Sequence, residues 1–134
     1  MTKIKERQKV VLAALLHDIG KFWERADDYW NNSVNIKKHF PNSEFSHVVP
    51  RYENGSPKYT HALWTQMFLN EFKIGSHLGL DNVGDQTLAN LSARHHLPDT
   101  QLNFLEKVIS HADKWSSSID RLMKVKKMNR IMIK

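Results

Sequence analysis

Leu15-Leu16-His17-Asp18-Ile19-Gly20-Lys21-Phe22 is the stretch whose reading decides the fold. Upstream of the pair, Val11, Leu12, Leu15, Leu16 and Ile19 recur at helical spacing, and Val10, Ala13 and Ala14 widen the same apolar face. That periodicity predicts a buried helix over 4–16. At its end the apolar run presents an imidazole beside a carboxylate, then a glycine that ends or kinks the helix, then a lysine. Neither His17 nor Asp18 is cheap to bury without a partner. A metal ion satisfies both, one through nitrogen and the other through oxygen. The local alternative is His17 on a neighbouring backbone group and Asp18 capping the helix that follows.

Downstream, Phe22, Trp23, Ala26 and Trp30 mark a second helical piece over 22–30. Residues 31–58 carry Pro41, Pro50, Pro57 and Asn54-Gly55-Ser56-Pro57 and read as a long irregular loop, with a short helix near Ile36. Loops of that length inside small domains are commonly functional lids or disordered segments. Helical spacing resumes at Thr60, with Ala62, Leu63, Met67, Phe68 and Phe72 on one face and Gly75 or Gly79 as its stop. A third helix spans Asp85 to His95 and Pro98 breaks it. Thr100 is the expected N-cap of a fourth, which buries Leu102, Leu105, Val108, Ile109 and Ala112. No strand pattern stands out. The expected class is all-α, a compact helical domain of about five helices.

With 134 residues the chain is long enough for one real core. Its hydrophobic share of 40% and charged share of 25% are those of a globular domain. No apolar stretch approaches the ~20 residues that span a bilayer, and Met1–Arg7 followed by the apolar run into His17 is not a secretory signal. A cytoplasmic location with no membrane partner is therefore expected. With 0 cysteines, disulfides, thiolate metal ligands and thiol nucleophiles are excluded. The net charge of +6 is unevenly placed. Residues 1–113 carry 13 Lys/Arg and 13 Asp/Glu, whereas residues 114–134 carry 7 Lys/Arg and one acid.

The His-Asp pair has company. His61 opens the second long helical stretch, His95 and His96 close the third, and Asp113 lies within the fourth, two residues after His111. Helical bundles build metal sites from inward ligands on several helices. Several His with one or two Asp suit one or two borderline divalent ions, Mn, Ni or Co foremost and Fe or Zn also compatible, and Asp18 is placed to bridge two. Such ions lower the pKa of water and polarise phosphoryl oxygens, so the chemistry expected is hydrolysis. Spacing alone leaves open which of His95 and His96 ligates, because helix neighbours point about 100° apart. His111 points about 200° from Asp113 and is read as supporting or structural. Lys21 and Arg94 each have two readings, a contact to substrate phosphate or a solvated surface charge. Histidines 39, 47 and 77 sit in loop-like sequence and read as exposed or locally hydrogen-bonded. The tryptophans Trp64 and Trp115 read as core. Trp23 and Trp30 read as core too, with stacking on bases as the alternative.

His17-Asp18 with a separate His61, the pair His95-His96 and a distal Asp113 resembles the HD superfamily of metal-dependent phosphohydrolases. In the usual order an isolated His precedes the His-Asp pair, whereas here the pair comes first, as in a circular permutation. That order, with Ser92-Ala93-Arg94-His95-His96 and Ile109-Ser110-His111-Ala112-Asp113-Lys114-Trp115-Ser116-Ser117, resembles the N-terminal HD domain of the Csm-type large subunit of type III CRISPR effector complexes. The resemblance covers residues 8–119. It implies a divalent-metal-dependent nuclease that degrades single-stranded DNA in antiviral defence, alongside other domains and subunits of a ribonucleoprotein with guide RNA. It implies His17, Asp18, His61, His96 and Asp113 as metal ligands, His95 close by, and Asp18 and Lys21 in catalytic roles. It also implies an HD-type domain at 1–119, with 120–134 a basic helix or tail beginning a linker to further domains. The palm-like domains and Gly-Gly-Asp-Asp motif of that family have no counterpart in these residues, so cyclic oligonucleotide synthesis is not implied. The alternatives are a free-standing HD phosphohydrolase acting on a nucleotide or small phosphate ester, and a catalytically weak assembly module.

Overall fold

The stripe that predicts a helix over 4–16 folds as α1 (Thr2–Leu16). In the computed structural model, which describes residues 2–26, 38 and 40–132, a turn at 17–19 leads into α2 (Gly20–Ala26). A 3-10 segment, Pro41–His47, follows, and then α3 (His61–Glu71). The single turn α4 (Ile74–His77), α5 (Leu88–Ala93) and α6 (Phe104–Met132) complete the helices, with 3-10 turns at Arg94–His96 and Asp99–Gln101. Among the described residues the β contribution is one isolated bridge, Arg51 to Pro57, so the all-α expectation holds. No described helix is long and apolar enough to cross a membrane.

α3 is the central helix because its sequence is apolar on nearly all sides. Ala62, Leu63, Trp64, Thr65, Met67 and Leu69 are all buried. One face packs with Val48, Val49 and Ala93, against which Trp23, Phe40 and Phe45 lie. Leu69 joins Ala13, Leu88, Ala89, Leu91 and Ile109 in a second cluster, flanked by Val10, Leu12 and Leu16 of α1. α2 and α5 pack on α3, and α1 packs on α5 and α6.

Several expectations are corrected by this packing. Within α1 the apolar face is wider than its partners can cover, so Val11 and Leu15 are exposed while Ala13 is buried. The long loop is not irregular throughout. Its second half carries the Pro41–His47 3-10 segment and sends Val48 and Val49 into the core. Ile36, His39 and Trp30 lie outside the described residues. α3 ends at Glu71, before either glycine, and Lys73 just beyond it takes the left-handed conformation (φ 49°). α5 begins later than Asp85, at Leu88, behind Thr87, whose Oγ1 accepts from Asn90 N at 3.2 Å.

α6 is capped by Asn103 rather than Thr100. Asn103 Oδ1 accepts from Glu106 N, and Glu106 Oε2 accepts from Asn103 N, both at 2.9 Å. This reciprocal capping box satisfies two backbone donors that the helix start leaves open. Leu102 and Ile109 are buried, but Val108 and Ala112 are exposed. Beyond Asp113 nothing described packs on the helix. Every residue from Lys114 to Met132 is exposed, including Trp115, which is 72% exposed and so is not core.

Candidate metal centre

Gly20 brings the His-Asp turn onto α3. A Cβ at position 20 would lie 2.1 Å from His61 O and 2.3 Å from Thr65 N, so only glycine fits against this backbone. The contact is also hydrogen-bonded. Gly20 N donates to Thr65 Oγ1 at 3.0 Å, and Thr65 Oγ1 lies 3.0 Å from the His17 carbonyl, to which it donates. The turn carrying His17 and Asp18 is thereby held beside His61, the first residue of α3. Glycine is thus used here for close approach as well as for the helix break that the sequence predicts.

The other ligand candidates converge from α5 and α6. Arg94–His96 is a 3-10 turn following α5 and is tied down by Arg94. Arg94 Nε donates to Glu106 Oε1 at 2.8 Å, Nη2 donates to Gln101 O at 2.9 Å, and Nη1 donates to His47 O. Glu106 is 1% exposed, so this is a paired, largely buried charge. Arg94 is therefore a structural brace, and neither the phosphate-contact reading nor the solvated one applies. Sequence reasoning missed its partner Glu106, although Asn103-x-x-Glu106 is a capping-box signature that was there to be read.

Six side chains named from the sequence meet around one point. His17 Nε2 lies 3.2 Å from Asp113 Oδ1 and 3.5 Å from Asp18 Oδ2. Asp18 Oδ1 lies 3.3 Å from His61 Nε2, and His61 Nε2 lies 3.1 Å from His96 Nε2. Ring centroids of His17 and His95 are 4.9 Å apart, and those of His95 and His96 are 4.1 Å apart. Two groups have ligand atoms within 4.8 Å of one another: His61, His95 and His96; and His17, His95 and Asp113. His95 belongs to both, and Asp18 faces both through its two oxygens. Lys21 Nζ donates to Asp18 Oδ2 at 2.6 Å. His111 is outside the cluster and pairs with Asp99 at 2.9 Å, and His47 and His77 are exposed. Trp23 packs against Trp64, Phe68 and Phe72, which settles it as a packing residue.

The donor chemistry fits a cation. His17 Nδ1 is 2.5 Å from the Ala14 carbonyl and His95 Nδ1 is 2.8 Å from the Ser92 carbonyl. A carbonyl only accepts, so each Nδ1 carries the hydrogen and each Nε2 offers a lone pair. His95 Nε2 is buried with no hydrogen-bond partner. Backbone carbonyls on the outer nitrogen are a common way to orient metal-binding imidazoles. Burial pushes His95 down to about 4, and burial together with the neighbouring His95 and His61 pushes His96 down to about 3. Both rings are neutral at pH 7 and available as ligands. Burial raises Asp18, but hydrogen bonds from His61 and Lys21 and the nearby His17 outweigh it, and the carboxyl is held well below its usual value.

These directions set an acid sensitivity for the metal-free protein. His95 has an ordinary value of 6.5. Between that value and about 4 the unfolded chain takes up its proton and the folded chain does not, so stability falls on acidification. From His95 alone the loss is on the order of 3 kcal/mol. Asp18 adds a loss of the same sign below its ordinary 3.8. Urea unfolding in EDTA at pH 7, 5.5 and 4.5 checks this. A flat profile would mean that His95 is not buried neutral.

An all-α fold that gathers imidazoles and carboxylates from the 17–19 turn, the start of α3, the 94–96 turn and α6 defines the class, a helical domain with a candidate divalent-metal centre. The chain belongs to the HD domain family, whose model matches residues 2–118. No curated protein and no solved structure matches it.

Proposed function

We propose that the chain is a divalent-metal-dependent nuclease that hydrolyses phosphodiester bonds in single-stranded DNA, acting as the HD domain of a type III CRISPR effector large subunit, with guide RNA and the other subunits as partners. His61 and His96 would hold one divalent ion and His17 and Asp113 a second, with the one unprotonated nitrogen of His95 completing either set and Asp18 facing both. The imidazoles suit borderline ions such as Ni or Co, and the carboxylates of Asp18 and Asp113 make Mn compatible as well. The carrying observation is that, among the described residues, the Asp18 and Lys21 side of the centre is open to solvent. Asp18 and Lys21 side chains are 36% and 42% exposed. Beside His17 and Asp113 lies a shallow hollow of about 220 Å³, lined also by Ala14, Ile109, Ala112 and Ser116. A polymer can cross such a surface, whereas a nucleotide enzyme encloses most of its ligand. The order of the motifs, with the His-Asp pair first, supports the CRISPR subunit over other HD proteins.

When bound, divalent ions supply Lewis acidity, activating water and polarising a phosphoryl oxygen. The chain's own residues position and neutralise. Asp18 orients His61 through Oδ1 and Lys21 through Oδ2. Lys21, partly exposed beside the centre, swings from Asp18 to a phosphate oxygen and holds charge there as the leaving oxygen departs. The Ala14 and Ser92 carbonyls keep His17 and His95 in one tautomer. The basic stretch 114–134 lies beyond the ligand set, and we assign it to docking against other parts of the complex.

The test uses labelled single-stranded DNA with Mn, Ni or Co. Cleavage is expected with at least one metal and is abolished by EDTA. No cleavage with any metal, or cleavage that survives EDTA, overturns the reading. Hydrolysis of nucleotides in place of DNA would transfer the site to the small-ester reading.

A further inference from the structure

Tyr59 sits at the rim of the centre in a conformation that costs energy. Its φ is 52°, in the left-handed region that bulky residues avoid. Such strain persists only where the surroundings fix it, and it concentrates at functional sites. The surroundings here are specific. Lys58 N donates to the Pro50 carbonyl at 2.9 Å, and Ala62 N donates to the Tyr59 carbonyl at 2.9 Å, clamping the residue between the 50–58 turn and the start of α3. The neighbouring Thr60 Oγ1 donates to Glu24 Oε1 at 2.5 Å.

The strained backbone presents the ring flat on a ligand candidate. Tyr59 and His96 are stacked with centroids 4.0 Å apart and planes 9° apart. His61 meets the same ring edge-on at 6.4 Å. Holding His96 explains one face of the ring. It does not explain why the residue is 50% exposed, since burying an aromatic ring is the favourable outcome and an aliphatic side chain would brace an imidazole equally well. One face covers His96, and solvent reaches the rest. Lys21 lies across the centre, joined to His61 through the two oxygens of Asp18. Tyr59 thus stacks on His96 and meets the edge of His61, while Lys21 shares Asp18 with that same His61.

We infer that Tyr59 is a substrate-binding residue, stacking the nucleobase of a single-stranded nucleic acid next to the phosphate held at the metal centre. This rests on the nuclease reading for the identity of the phosphate. Stacking is indifferent to base identity, so the ring selects nucleic acid with unpaired bases over base-free phosphate esters without imposing a sequence.

Anisotropy binding and cleavage, measured on the full 134-residue chain with Mn, compare an oligothymidylate with an abasic strand of equal length. The wild type is expected to prefer the base-bearing strand about ten-fold. Tyr59→Ala is expected to lose that preference, handling the base-bearing strand no better than the abasic one, and Tyr59→Phe to keep it. If the alanine variant fails to fold, Tyr59→Gly removes the ring while suiting the left-handed backbone. Absence of any preference in the wild type, or equal losses on both strands in the variant, overturns the inference, the second because Tyr59 would then act only through His96. Preferential binding that depends on Tyr59, without cleavage of either strand, sinks the nuclease reading and leaves the stacking role standing.

Discussion

Replacing Asp18 with asparagine is expected to lower metal-dependent hydrolysis by about 10³-fold or more. That exceeds the 10–100-fold lost when groups that merely orient metal ligands are removed. Asp18 is the carboxylate that faces both ligand groups, 3.3 Å from His61 Nε2 through one oxygen and 3.5 Å from His17 Nε2 through the other. Asparagine keeps the shape, removes the charge and turns an N–H donor toward one of these partners. An ammonium or imidazole on that side loses its acceptor, and a cation between the groups meets a positive dipole. The effect should be visible without turnover. Mn is expected to raise the melting temperature of the wild type through linkage to the folded state, and this rise is lost in the variant. In the absence of metal the two proteins should melt within a few degrees of each other, because Asp18 is partly exposed. A variant that retains both the Mn-dependent rise and the activity would remove Asp18 from the centre.

Gly20→Ala carries the largest expected effect on stability, a loss of about 3 kcal/mol or more. The new methyl group would meet His61 O, Thr65 N and, at 2.7 Å, Trp64 C. These are backbone atoms of the central helix, so no side chain can rotate out of the way. α2 must then move off α3, breaking the bond from Gly20 N to Thr65 Oγ1 and carrying His17 and Asp18 away from His61. Gly55→Ala is the matched control. Gly55 has φ 84°, but nothing lies within 4 Å of its added Cβ. It should lose only about 1 kcal/mol, the cost of a left-handed alanine. Urea unfolding of the two variants separates close packing from backbone strain. Equal, small losses would show that the α2–α3 contact tolerates a methyl group.

These two residues also mark how far the sequence could be read. The ligand types were legible because imidazoles and carboxylates interrupting apolar helical runs are rare and costly. His17, Asp18, His61, His95, His96 and Asp113 all lie around one point, as their chemistry suggested. Spacing could not resolve His95 from His96, because the 100° rule presumes a continuing α-helix. The chain leaves α-geometry at Arg94, and the resulting 3-10 turn lets both rings approach the cluster. Arg94 was ambiguous because its three acceptors lie 7 to 47 residues away in sequence. Tyr59 gave no sequence signal at all, since a positive φ at a tyrosine has no compositional signature.

Local chemistry by itself determined the helical class, the end of α1, the start of α3 to within a residue, and the exclusion of thiol chemistry. Those properties depend on periodicity and residue type within one segment. Tertiary structure decided which apolar faces are covered. Val11, Leu15 and Trp115 look like core residues in sequence and are exposed, because burial requires a second surface and the described neighbours of α1 and α6 do not reach that far. It also decided that Gly20 serves as a contact as well as a break and that Arg94 is a brace. Both depend on atoms brought together through space, which a one-dimensional pattern does not encode.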